Sequence, residues 1–419
     1  MASVAPRILL LAPITPAPTG NGLAMRAALA VLGLARAGEL STAVVPVAGP
    51  RPSAEQLAWT AARSASVAVV DPPAGKAAVR SWLERVDGRR IVTAVGDLPE
   101  RARLASPAAG EAVLEAFGGA RFDVVYVLRL YLAAVALPLL DPPAPLRRLI
   151  DADDDDAATL ESIARLHELR GEREAAERAR RSAAAYDRLA SAVLPLFDRV
   201  IAAAPPDASS LARRHRLAER ITTLPNVVVS GRPHHPAKFP SPARLLFVGN
   251  LDYLPNLDAA ERLATTILPL IRNGDSEARL DLVGSARGAI LFGLGEKRGV
   301  SLHGTVPDLD SFYRQATAVV APLRAGGGSR IKLLEAFAYG VPVVASPTAA
   351  AGLDVAHDRE LLLAESDREI AAAASRLAGD PTLAHRLATA ASAFVAAHHD
   401  MDRTSERLRE LVTAKLPPS

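Results

Sequence analysis

Short runs rich in Val, Ile and Leu recur along this chain, each set apart from the next by a helical stretch. RILLLA (7–12), TAVVPV (42–47), SVAVV (66–70), RIVTAV (90–95), DVVYVL (123–128), RRLID (147–151) and RVIAA (199–203) fill the first half. RLLFVGN (244–250), ARLDLVG (278–284), VSLHG (300–304), AVVAPL (318–323) and VPVVAS (341–346) fill the second. Strands without polar alternation are buried on both faces, and helices between them cover those faces. The pattern therefore specifies parallel sheets in an α/β fold.

The rhythm stops once, at SGRPHHPAKFPSPA (230–243), whose four prolines resist both helix and sheet. With 419 residues the chain exceeds a typical single core. Two Rossmann-like units follow: residues 1–232, with a helical insert at 157–193, and residues 233–395. A last helix, 396–419, is expected to pack back toward the first unit. The insert carries acidic and basic residues three or four apart, as on a solvated helix face, with Gly171 as a candidate break. Two parallel sheets joined this way place a ligand cleft between their strands' carboxyl ends.

Composition excludes several functions. The net charge is only +3 and aromatics are 4%, too few stacking platforms for a nucleic-acid partner. The chain has no Cys, so disulfides, thiolate zinc sites and cysteine nucleophiles are ruled out. ILLLAP near the start is too short for a secretory signal, and no apolar stretch reaches the ~18–20 residues of a membrane span. These features fit a cytoplasmic protein and leave peripheral membrane association open. His234 and His235 on the linker are expected to be solvated rather than metal-bound, and His303 and His357 structural.

APLRAGGGSRIKLLEAFAYGVPVVAS (321–346) carries the chemistry. Gly326, Gly327 and Gly328 follow a strand and admit close approach of a ligand to the backbone. Ser329 is placed to cap a helix that Gly340 ends. The start of such a helix is an anion site. Arg330 and Lys332 in its first turn have the wrong sign for the helix dipole, and an incoming anion would neutralise them. Glu335, further along, is placed for a sugar hydroxyl. No Gly-Lys-Ser/Thr follows the glycines, so this is not a P-loop. Gly20-Asn21-Gly22 lacks the third glycine of a dinucleotide fingerprint.

With these motifs the chain resembles the retaining glycosyltransferases of family four. The resemblance rests on LLFVGNLDYLPNLDAA, LDLVGS, VSLHGTVPDLDSFYRQATAVVAPLRAGGGSRIKLLEAFAYGVPVVASPTAAAGL and the N-terminal RILLLAPITPAPTGNGLAMRAALAVLGLARAG. It implies the GT-B fold, two facing Rossmann-like domains. It also implies transfer of a sugar from a nucleoside-diphosphate donor to an acceptor hydroxyl or similar nucleophile, with retention. The acceptor would be a small natural product or a growing glycan. Glu335 then binds the donor's ribose, the base lies against backbone near Val283, Gly284 and Val306, and Gly249 and Asn250 belong to the donor side. The family's usual Glu eight positions before Glu335 is Gly327 here, and its usual Arg and Lys are absent from Asn250-Leu251-Asp252-Tyr253. A subgroup with a GGGxRxK loop fits better, with Arg330 and Lys332 supplying the charge for the diphosphate. Gly326, Gly327, Gly328 and Ser329 would line the donor, and Gly20, Asn21, Gly22 and Arg26 the acceptor side. In the family the leaving phosphate helps to take the acceptor proton, and no protein nucleophile is needed. A nucleotide-sugar epimerase and a non-catalytic sugar-nucleotide sensor are the competing readings.

DADDDD (151–156) contains the Asp-x-Asp pattern by which transferases of a different fold hold a metal. Here the loop has its own cations, so neither a metal nor a cofactor is expected. Asp151 ends a strand and is expected to face the cleft. Asp151 and Asp153 are the candidate acceptor-binding or catalytic carboxylates, with Asp154 beside the acceptor. The remaining aspartates are expected to cap the helix starting near Ala157.

Overall fold

The computed structural model of the protein describes residues 5–72, 98–141, 145–229, 242–286, 293–328 and 330–414. RIVTAV (90–95), the linker with His234 and His235, and Ser329 lie outside the described residues.

Seven described strands form the first sheet: β1 (Arg7–Ala12), β2 (Glu39–Val44), β3 (Ser66–Val69), β4 (Val124–Leu128), β5 (Arg147–Asp153), β6 (Arg199–Ala202) and β7 (Ile221–Thr223). Their spatial order is 3-2-1-4-5-6-7, and every pair is parallel. The second sheet holds β8 (Arg244–Val248), β9 (Arg279–Val283), β10 (Val300–Leu302), β11 (Ala318–Ala321), β12 (Val343–Ala345) and β13 (Leu362–Leu363). Its order, 10-9-8-11-12-13, repeats the first, again all parallel. In each sheet the order reverses beside the first strand. That switch point, between β1 and β4 and between β8 and β11, is where doubly wound sheets bind ligands.

The unbroken apolar runs explain the burial. Leu9 and Leu11 enter one core and Ile8 and Leu10 another, on opposite faces of one sheet. Several strands differ from the sequence expectation, and β5 runs on past Asp151 to Asp153. β2 starts at Glu39 and stops at Val44, because Pro46 has no N–H for the ladder. β7 and β13 are three and two residues long, too short for any periodicity to announce.

Helix α1 (Gly22–Ala37) follows β1, with Asn21 as its N-cap, accepting from the Ala24 N–H at 2.9 Å. The insert is two helices packed on each other, α2 (Asp156–Leu169) and α3 (Arg173–Val193). Gly171 lies between them at φ +77°, a conformation that favours glycine. The last helix, α4 (Met401–Thr413), buries Leu408 and Val412 against the first sheet's core. A Cβ at Gly33 of α1 would stand 2.8 Å from Leu408. The chain thus crosses back between the units, and the two crossings touch: the Val228 N–H donates to the His399 carbonyl at 3.2 Å. Among the described residues no helix is long and apolar enough to cross a membrane.

Candidate active site

On the second unit the site is built from strand ends. A Cβ on Gly284 would fall on the Gly249 carbonyl, so the ends of β8 and β9 meet as bare backbone. The Gly284 N–H donates to the Gly304 carbonyl at 2.8 Å, bringing β10 and half-buried Val306 beside them. Asn256 closes this edge, its amide donating to the Asn250 carbonyl at 2.8 Å. Gly249, Asn250, Val283, Gly284 and Val306 therefore share one rim.

The glycine loop leaves β11 with Gly326 at φ +113° and Gly328 at φ +72° and enters helix α5 (Ile331–Ala338). Lys332 Nζ donates to Asn256 Oδ1 at 2.5 Å and lies 4.8 Å from the Phe247 ring centroid. Burial, with Arg330 nearby, brings its pKa down to about 7. One turn on, Glu335 accepts from the Tyr313 hydroxyl at 3.0 Å, and burial pushes its carboxyl up to about 7. Tyr313 is itself fixed by stacking on Tyr339, 4.4 Å between centroids. A weakly basic amine and a weakly acidic carboxyl thus stand at one helix start, each able to change charge near neutral pH. Arg330 turns away from Lys332, its Nε donating to the Ala351 carbonyl at 3.0 Å. It holds no ion pair among the described residues, and its charge faces Asp207 and Asp154 of the first unit.

On the first unit every aspartate of DADDDD makes an ion pair. Asp151, 1% exposed, accepts two hydrogen bonds from Arg26 Nε at 2.9 and 3.0 Å, and one from Arg26 Nη2 at 2.8 Å. The Tyr126 hydroxyl adds a fourth at 2.7 Å. Arg26, also 1% exposed, further donates to the Leu224 carbonyl and to Asn226. The sequence placed Asp151 facing the cleft and Arg26 on the acceptor side. The structure instead locks them together in the interior, because Arg26 lies on the buried face of α1 and its long side chain reaches the end of β5. Asp153 sits at φ +66°, an uncommon conformation for a residue other than glycine, and accepts from Asn226 at 3.1 Å. Asp155 is the N-cap of α2, accepting from the Ala158 N–H at 3.1 Å, and is held by Arg214.

Asp153, Asp154 and Asp156 share one partner that the sequence reading missed, Arg129. Its guanidinium reaches Asp153 at 3.2 Å, Asp156 at 2.5 Å, and Asp154. Arg129 is the first residue beyond β4 and has φ +78°. Its position after a predicted strand was the one signal available. Burial pushes the Asp156 carboxyl up to about 7, against the pull of Arg129. Burial and Asp154 raise Asp207 to about 6.

The two halves meet at the glycines. The Gly326 N–H donates to Ser162 Oγ of α2 at 3.0 Å. A Cβ at Gly327 would fall on Thr159 Oγ1, and one at Gly328 would lie 2.9 Å from Asp154 Oδ2. Arg170, just past α2, pairs with Glu261 at 2.6 Å and Asp258 at 3.4 Å, while Arg324 also holds Asp258. Gly326–Gly328 and Asp154 are therefore brought together, whereas Gly20 and Asn21 remain at an exposed turn and half-buried Gly22 opens α1. A cavity of about 200 Å³ lies beside Arg330, lined also by Asn226, Asp354, His398 and Arg407. Among the described residues no group of three His, Asp or Glu is arranged to hold a metal ion.

Gly327→Ala is expected to cost this contact about 1–3 kcal/mol, the usual penalty of overpacking. Small-angle X-ray scattering should then show a larger radius of gyration. An unchanged radius would mean that the contact does not hold the units together.

Residues 242–380 match the family described as Glycosyl transferases group 1. No curated protein matches the chain in sequence. Among solved structures, sucrose-phosphate synthase of Thermosynechococcus elongatus superposes with TM-score 0.67 at 17% identity, over 96% of this chain and 97% of that one. HepE of Anabaena, solved with UDP and glucose, gives 0.65 at 13% identity, over 98% and 100%. A glycosyltransferase of Rickettsia africae gives 0.62 at 11%, over 97% and 98%. With two parallel doubly wound sheets, these likenesses establish the GT-B fold.

Proposed function

We propose that this GT-B protein, whose second unit carries a group 1 glycosyltransferase domain, transfers a sugar from a nucleoside diphosphate to an acceptor hydroxyl. The observation that carries the reading is the α5 start. Lys332 and Glu335 stand there beside a glycine loop, inside the matched segment, on the rim formed by β8, β9 and β10. Lys332 supplies positive charge where a diphosphate leaving group becomes more negative, the interaction that speeds bond breaking. Arg330 adds charge from the N-cap position. Glu335 holds a ribose hydroxyl. HepE was solved with UDP, which makes UDP the first nucleotide to try.

In this reading the sugar leaves with retention, and the cations replace a metal on the diphosphate. The test is calorimetric titration with UDP, GDP, ADP and dTDP, each with Mg²⁺ and then with EDTA, repeated on Arg330→Ala. One diphosphate should bind without metal, and the variant should bind it about tenfold or more weakly, a loss of roughly 1.4 kcal/mol. Binding that needs Mg²⁺ and survives the change would remove the donor from this loop.

A further inference from the structure

The turn after β8 has no cation of its own, yet it is bonded to one. The link is Asn256, buried in the first turn of the helix Leu254–Arg262. Pro255, with no N–H to leave unpaired, suits that helix start. The Asn256 backbone N–H donates to the Tyr253 carbonyl at 2.9 Å. Its side-chain amide donates to the Asn250 carbonyl at 2.8 Å and, through Oδ1, accepts from Lys332 Nζ at 2.5 Å. A Cβ on Gly249 would stand 2.9 Å from Asn256 Nδ2, so the strand end is bare where the amide packs. An amide that must give a hydrogen to a carbonyl and take one from an ammonium fits in a single orientation. One side chain thus ties together the end of β8, the helix Leu254–Arg262 and α5.

We propose that Asn256 is the residue that positions Lys332 for the diphosphate, and that the turn after β8 acts on the donor through it. This rests on the glycosyltransferase reading above. The choice of an amide has a physical reason. A neutral oxygen holds the ammonium in place and leaves its charge for an incoming anion. A carboxylate at 256 would cancel that charge and would lack the hydrogen that the Asn250 carbonyl receives. An apolar residue would deprive both the carbonyl and the amine of this partner. Asn250 belongs to the rim it shares with Gly249, Gly284 and Val306, so the same amide joins that rim to the charge at the α5 start.

The surroundings suit that role. Arg330 and Glu335 are the charged groups that face the amine, from the cap of α5 and from α5 itself. The Tyr313 hydroxyl donates to Glu335, and Asp207, Tyr253 and Asp154 face Arg330. From β8 and the helix after it come the Phe247 ring, its centroid 4.8 Å from Nζ, and the Asn256 amide, neither of them charged. Asp258 of the same helix is held by Arg170 and Arg324. The hydrogen bond to Asn256 favours the charged amine, so losing it lowers the Lys332 pKa further, whereas a carboxylate there raises it.

The experiment is calorimetry on the full chain with UDP, or whichever diphosphate the wild type binds, from about pH 5 to 9. With the Lys332 pKa at about 7, wild-type binding should take up a proton at about pH 8. Asn256→Leu keeps the volume and removes both side-chain hydrogen bonds. It should bind about tenfold more weakly, and its affinity should begin to fall about one pH unit sooner than in the wild type. Asn256→Asp should also bind about tenfold more weakly, yet take up no proton at about pH 8, because its Lys332 is charged before the ligand arrives. Combined with Lys332→Ala, Asn256→Leu should change affinity by less than about twofold, since no amine is left to position. A side chain that only stabilises the fold would cost the same in either background and would leave proton uptake alone. Wild-type affinity and uptake in Asn256→Asp, or an equal loss from Asn256→Leu with and without Lys332, overturns the proposal. Should Asn256→Leu fail to fold, the proton uptake of Asn256→Asp decides alone. A wild-type chain that binds no diphosphate overturns the donor reading instead, and the same titration tells the two failures apart.

Discussion

Lys332→Ala should abolish most sugar transfer, with kcat falling about 10²–10³-fold, the range seen when one group stabilising developing negative charge is removed. The structure adds a pH signature to that loss. In the free protein, burial and Arg330 hold the Lys332 pKa at about 7. A bound diphosphate favours the charged amine and so raises that pKa. Above pH 7 the free site has lost a proton that the complex keeps, so binding takes a proton up. Affinity should therefore be level below pH 7 and fall as pH rises past it, by at most tenfold per unit. Calorimetry in two buffers of different ionisation enthalpy measures the proton directly. Lys332→Ala should weaken binding and remove the proton uptake. Unaltered affinity with unaltered uptake in the variant would assign the charge to another group.

Arg26→Ala should destabilise the fold by about 3–5 kcal/mol, because it leaves Asp151 charged and unpaired in the interior. Against a total stability of roughly 5–15 kcal/mol, that change is enough to leave much of the protein unfolded at ambient temperature. Removing both charges, with Arg26→Met and Asp151→Leu together, should restore much of the loss, since no lone charge then remains buried. Urea denaturation of the three chains, read as a shift in midpoint at constant slope, decides the matter. A loss below about 1 kcal/mol for Arg26→Ala would mean that water reaches Asp151 and that the pair is less buried than its 1% exposure indicates.

Domain architecture was legible in the sequence because it depends on local pattern. VVYVL and the LLFV that follows Arg244 run without polar alternation, which only a strand covered on both faces tolerates, and the intervening helices force parallel pairing. The glycine loop and the first turn of α5 were legible for the same reason. Backbone freedom, helix polarity and the sign of Arg330 and Lys332 are properties of neighbours in sequence.

The job of each aspartate was decided only by tertiary structure. A carboxylate's role depends on the charge that faces it, and those charges arrive from far along the chain. Arg26 reaches Asp151 across 125 positions and Arg214 reaches Asp155 across 59. Arg129 gathers the other three from the end of a neighbouring strand. The missing side chain at Gly327 is of the same kind. Its sequence neighbours give no reason for a glycine outside the left-handed region; Thr159, delivered by the opposite unit, leaves no space for anything larger.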